Sequence, residues 1–252
     1  MTDNFLFNFK TDISGVQLPT NLNNPFGHSI PEIATMASKE FQDFIISKSQ
    51  NWDHDFLIQK GKMFGVLVVK LQNGTIRFIG TVSGKLFGNS NCEKFIPSVF
   101  DDSTDDFFIN KGMTELTKIG AQIQAINDAK EITELKKARR QKSFDLQQKL
   151  FENYKFINVN GEEKNVIEIF NNFSQVNPPA ASGECAAPKL LQFALKNNLR
   201  PIAIAEFWWG NSPKGQKREH QTFYPACKDK CRPILEFMLE DNELFNRAKA
   251  LS

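Results

Sequence analysis

Helical and strand periodicities alternate along this chain of 252 residues and predict an α/β or α+β fold of two packed parts joined by a long helix. Three observations carry that expectation. A helical face over residues 28–48 precedes two β-rich runs around Asn73-Gly74. An unbroken helical pattern then runs from 113 to about 154. Beyond it come a helix, a strand and a second helix, each helix preceded by cysteine. The change of pattern places a soft boundary near residue 155. This divides the chain into an N-terminal α+β part, 1–155, and a C-terminal α/β part, 156–252, with a mixed sheet.

The elements follow in order. In "HSIPEIATMASKEFQDFIISK", Ile30, Ile33, Met36, Ala37, Phe41, Phe44 and Ile45 form one helical face, with Pro31 tolerated in the first turn. Residues 63–71 are nearly all apolar, which predicts a strand covered on both faces, and 76–82 return from the Asn-Gly turn. "DDSTDD", 101–106, reads as a solvated acidic loop. The helical stretch from 113 carries Leu116, Ile119, Ile123, Ile126, Ile132, Leu135, Phe144 and Leu150 and has no proline, and no glycine after Gly120. A helix at 188–197, a strand at 201–208 and a helix from about 232 complete the pattern.

A formal net charge of +2 gives no global case for nucleic-acid binding, so only local patches can supply one. There is no run of about 18 apolar residues, so no membrane span is expected. "MTDNFLFNFKTD" has no basic region followed by an apolar stretch and a cleavage site, and a cytoplasmic protein is expected. Without a leader, cysteines suggest metal or buried thiols before disulfides.

Three of the four cysteines fall late. Cys185 precedes one helix, and Cys227 and Cys231 sit in the turn entering the next, where Pro233 fits a first helical turn. If both helices lie on one side of a sheet, their N-termini bring three thiols together, and thiolates at tetrahedral spacing suit zinc. His220, seven residues before Cys227, is a candidate fourth ligand that would close the site into a structural one. The alternative reading is three small buried thiols without metal. Cys185 with His220 as base also has the residue types of a thiol nucleophile.

The order of thiol, strand and paired thiols resembles that of the zinc deaminases of bases and nucleosides, which place a ligand and a catalytic Glu on one helix and P-C-x-x-C on the next. Here the second motif is Pro225-Ala226-Cys227-x-x-x-Cys231, one residue wider, and the position of the acid/base Glu holds Ala187. Glu184 is a weak candidate for that role from the other side of Cys185.

Two basic stretches are candidate RNA contacts. "KKARRQK" places Lys136, Lys137, Arg139, Arg140 and Lys142 on the long helix, with Glu131 and Glu134 one turn earlier. "EFWWGNSPKGQKREH" sets Trp208 and Trp209 beside Lys214, Lys217 and Arg218, the mixture of stacking rings and cations that single-stranded RNA recognition uses. Because adjacent strand residues face opposite ways, at most one of the two Trp rings is expected to be free.

"HSIPEIATMASKEFQDF", more loosely, and "GKMFGVLVVKLQNGTIRFIGTVSGKLFG", "KFIPSVFDD", "PPAASGECAAPKLLQFAL" and "PIAIAEFWWGNSPKGQKREHQTFYPACKDKCRPILEFML" resemble the N-terminal extension of long bacterial RluA-type pseudouridine synthases, over most of this chain. The catalytic aspartate of that family stands in an Arg-Leu-Asp motif, and this sequence contains none. The resemblance implies an RNA-modification accessory module that lacks the isomerase domain and contacts RNA (rRNA or tRNA), a synthase domain, or both. The alternatives are a zinc-dependent deaminase-like enzyme and a non-enzymatic interaction protein with structural zinc or buried thiols.

Overall fold

A computed structural model describes residues 2–48, 53–86, 94–100, 108–213, 215 and 217–240. The fold is α+β, with helices on both faces of a small sheet, in line with the expected class. The acidic loop at 101–106 lies outside the described residues, as does Cys92.

Helices α1 (Glu32–Ser47) and α2 (His54–Lys60) lead into strands β1 (Lys62–Lys70) and β2 (Ile76–Val82). The two strands pair antiparallel in the register Val66↔Gly80. The Asn-Gly turn closes as its composition predicts: Gly74 takes φ +86°, and its N–H donates to Leu71 O at 2.9 Å. On α1, Ile33, Ala34, Ala37, Phe41 and Ile45 are buried against one face of the sheet with Phe64, Val66 and Val68. Phe41 packs against Gly80, where a Cβ would come within 2.4 Å of its ring.

The helical stretch beyond 108 is not one helix. It is a hairpin of α3 (Phe108–Ala125) and α4 (Ala129–Asn153). Asp128 starts α4 by accepting the Glu131 N–H at 2.8 Å, so the break at residues 126–128 is an N-cap in an otherwise helical pattern. Gly112 packs on Leu146 and Gly120 faces Arg139, which sets the two helices antiparallel. Only Gly112 and Leu116 on α3, and Phe151 on α4, are buried, so most of the hairpin surface faces solvent.

After the hairpin come β3 (Lys155–Ile157), β4 (Glu163–Asn165) and α5 (Val166–Ser174), which opens with an Asn165/Glu168 capping box. Then follow α6 (Ala186–Lys196), β5 (Arg200–Trp209) and α7 (Arg232–Met238). β5 lies antiparallel to β1, in the order β2-β1-β5, so the main sheet takes strands from both sides of residue 155. α6 covers the face opposite α1, with Leu190, Leu191 and Ala194 in a second core with Leu67, Val69 and Ile204. β1 is therefore buried on both faces, as its unbroken apolar run predicts. Among the described residues no helix is long and apolar enough to cross a membrane.

Candidate metal centre

The site is assembled by the antiparallel placement of β5 beside β1. Gly65 on β1 faces Glu206 on β5. A Cβ on Gly65 would sit 3.0 Å from Ala186 Cβ and from Leu190 Cδ1, so the glycine lets the first turn of α6 settle close to the sheet. α6 begins at Ala186, two residues earlier than the sequence pattern places it, and Cys185 is its N-cap. Cys231 is the N-cap of α7, which has proline in its first turn.

The sulfurs of Cys185, Cys227 and Cys231 lie within 4.8 Å of one another, close enough to hold a metal ion. Cys227 and Cys231 sulfurs are 3.2 Å apart and hydrogen-bonded. A tetrahedral thiolate set at Zn–S of about 2.3 Å needs sulfurs about 3.8 Å apart. Cys231 is buried, Cys185 is half-buried, and Cys227 is exposed as a residue although its sulfur turns toward the other two.

Three thiols this close cannot all ionise, because each added charge meets the last in a poorly solvated place. The Cys227 thiol is held well below the ordinary range, first by hydrogen bonding from Cys185, then from Cys231, with help from the Lys230 and Cys231 backbone N–H groups. Cys185 is pushed well above the ordinary range by the hydrogen bond it gives to Cys227 and by burial. Cys231 is raised by hydrogen bonding with Cys185 and Cys227, and by burial. Of the three, Cys227 is thus the thiol poised to ionise first, and binding of a cation would displace protons from the others.

Glu206 is a member of this neighbourhood that sequence reasoning missed. It is 6% exposed, and Oε1 accepts the Ala187 N–H at 3.1 Å. Burial pushes its carboxyl up to about 8, the Ala187 hydrogen bond opposes this, and the charge of Cys227 adds to it. One ionisable residue inside the apolar run "PIAIAEFWW" was the available signal.

The other expected site residues are placed as follows. Glu184 turns to Tyr154, whose hydroxyl donates to Oε1, while Oε2 is buried without a partner. Its backbone carbonyl accepts the Gly84 N–H at 2.8 Å, pinning the approach to α6 to the end of the hairpin strand. It is not part of the sulfur group.

His220, expected as fourth ligand or as base for Cys185, is held by β5 and the loop after it. Its Nδ1 accepts the Gly210 N–H at 2.9 Å, and its ring stands edge-on to Trp209 at 4.4 Å. It does not join the three sulfurs.

Of the two Trp rings at most one is open, as the alternation of side chains along a strand implies. Trp209 is 1% exposed and belongs to the core. Trp208 donates Nε1–H to the Gly210 and Asn211 carbonyls, and its ring covers Gly61, where a Cβ would come within 2.3 Å. Lys214 lies outside the described residues. Lys217 pairs with Glu219 at 3.4 Å, and the Arg218 guanidinium covers the Tyr224 ring at 4.2 Å. On α4, Lys142 pairs with Glu115 across the helical hairpin. Lys136, Lys137, Arg139 and Arg140 are exposed.

The fold and the site define an α+β protein with a three-thiol cluster that can bind a metal. No family model, curated protein or solved structure matches the chain.

Proposed function

We propose that this chain is a zinc-holding accessory module of RNA modification, related to the extension of pseudouridine synthases and without isomerase chemistry of its own. It contacts rRNA or tRNA, a synthase domain, or both. The observation that carries the reading is the convergence of Cys185, Cys227 and Cys231. The stretches that resemble the extension are the ones that supply these thiols. A donor set made only of thiolates favours zinc over the hard cations, which take oxygen. In this reading zinc ties α6 to α7 and fixes their approach to β5.

The test is metal analysis of the purified chain. About one equivalent of zinc is expected, with loss of the metal and of several kcal/mol of stability in Cys227→Ser. A fully folded wild-type protein that takes up no zinc would overturn the reading in favour of buried thiols.

A second reading, a deaminase-like hydrolytic centre, is favoured by the position of Glu206. Its carboxylate accepts the N–H of Ala187, the residue that stands where the deaminases carry their catalytic Glu. With three protein ligands a fourth metal position is left for water. Glu206→Gln separates the two readings: zinc stays bound in both, and only a hydrolytic centre shows a release of ammonia from cytidine or adenosine that the variant loses.

A further inference from the structure

The α3–α4 hairpin carries a groove of about 650 Å³ that crosses both helices. On α4 its lining is Lys136, Arg139, Arg140, Ser143, Phe144 and Gln147, which is the i, i+3, i+4, i+7, i+8, i+11 spacing of a single helix face. Gly120, Ile123 and Gln124 of α3 form the other wall. Gly120 leaves room for Arg139, whose Nε–H donates to Leu116 O at 3.3 Å, so that guanidinium is held across the groove floor.

The charge in this groove has one sign. Glu131 and Glu134, which precede the basic run on α4, do not line it. Lys142, the cation that does find a carboxylate, lies outside it and pairs with Glu115. Among the described residues Lys136 and Arg140 make no ion pair. Phe144 lines the groove too and is 43% exposed, so the same face offers an aromatic ring beside the cations. Cations that meet phosphates, an open aromatic face, and the amides of Gln124 and Gln147 are what a single RNA strand engages. An acidic peptide would use the cations, whereas a base also brings a planar face to Phe144.

We propose that this hairpin groove, and not the Trp208–Trp209 loop, is the surface that binds single-stranded RNA: Lys136, Arg139 and Arg140 take the phosphates and Phe144 stacks a base. This rests on the RNA-contact part of the proposed function and is independent of the metal.

The test is fluorescence anisotropy of the full chain with a labelled single-stranded RNA of about 12 nucleotides and mixed sequence, in about 50 to 200 mM salt. Lys136→Ala with Arg140→Ala is expected to weaken binding at least about tenfold at low salt, and to flatten the slope of log K against log salt by about 1.4, two phosphates' worth for a single strand. Phe144→Ala is expected to weaken binding by about tenfold while leaving the slope unchanged. Circular dichroism and zinc content of each variant confirm that the hairpin and the thiol cluster are intact. If wild type binds RNA and these variants bind equally well, the groove is overturned while RNA contact stands on another surface. If zinc-loaded wild type binds no RNA at the lowest salt, the RNA-contact reading itself falls. Capture of an acidic peptide by the groove in place of RNA also overturns the proposal.

Discussion

The Glu206 carboxylate accepts a hydrogen bond from the Ala187 N–H at 3.1 Å, two residues along the chain from Cys185. That bond joins the last strand of the sheet to the first turn of the helix that carries the thiol. It places a buried carboxyl within the electrostatic reach of all three cysteines.

The first prediction concerns pH. In the unfolded chain Glu206 loses its proton near the ordinary value of 4.5, whereas in the folded protein it keeps it up to about 8. Between these values the folded state binds the extra proton, so stability falls as pH rises through that window and levels off above it. At about 1.4 kcal/mol per pH unit the loss reaches a few kcal/mol at most. Urea denaturation in chelator at pH 5 and pH 8 is expected to show a steeper loss for wild type than for Glu206→Gln. Parallel profiles would count against the burial account.

The second concerns thiol chemistry. The exposed Cys227 carries the low-pKa sulfur of the cluster, and the thiolate is the reactive form. Iodoacetamide on the metal-free chain below neutral pH is expected to label Cys227 before Cys185 and Cys231, as read by peptide mass mapping. Prior loading with zinc should protect all three. Preferential labelling of Cys231, which is 2% exposed, would contradict the arrangement.

The third concerns packing between layers. Gly80→Ala drives a methyl to within 2.4 Å of the Phe41 ring, which is fully buried and cannot simply move away. Overpacking of this kind costs about 1–3 kcal/mol. Phe41→Leu in the same chain relieves part of it, so the double variant should fall short of the sum of the single losses. Additive losses in thermal or urea unfolding would show that the two residues do not press on each other.

The fourth concerns the chemistry of the family that the sequence resembles. Lacking an Arg-Leu-Asp motif, the chain alone is expected to leave uridine unchanged in rRNA or tRNA that contains no pseudouridine. Mapping of pseudouridine after incubation checks this. Stoichiometric conversion would mean that another carboxylate performs the isomerisation.

Much of the secondary structure is legible locally, because it rests on periodicity and on turn chemistry within a few residues. The α1 face, the Asn73-Gly74 hairpin and the doubly covered β1 all follow from such patterns. The placement of Cys185 and Cys231 at helix starts follows as well, since prolines in first turns mark where helices begin. The break before α4 is less legible: Asp128 is a good cap, but the apolar spacing continues across it, and periodicity alone does not register a reversal. What local patterns could not decide depends on one long-range pairing. Once β5 lies antiparallel to β1, the thiols meet at 4.8 Å or less, Glu206 turns under α6, and His220 is drawn to Gly210 instead of to the metal centre. The same pairing buries Trp209 and seats Trp208 on Gly61. These outcomes are set by register between paired residues 130 to 147 positions apart in the chain, where a shift of one residue exchanges the face that meets α1 with the face that meets α6.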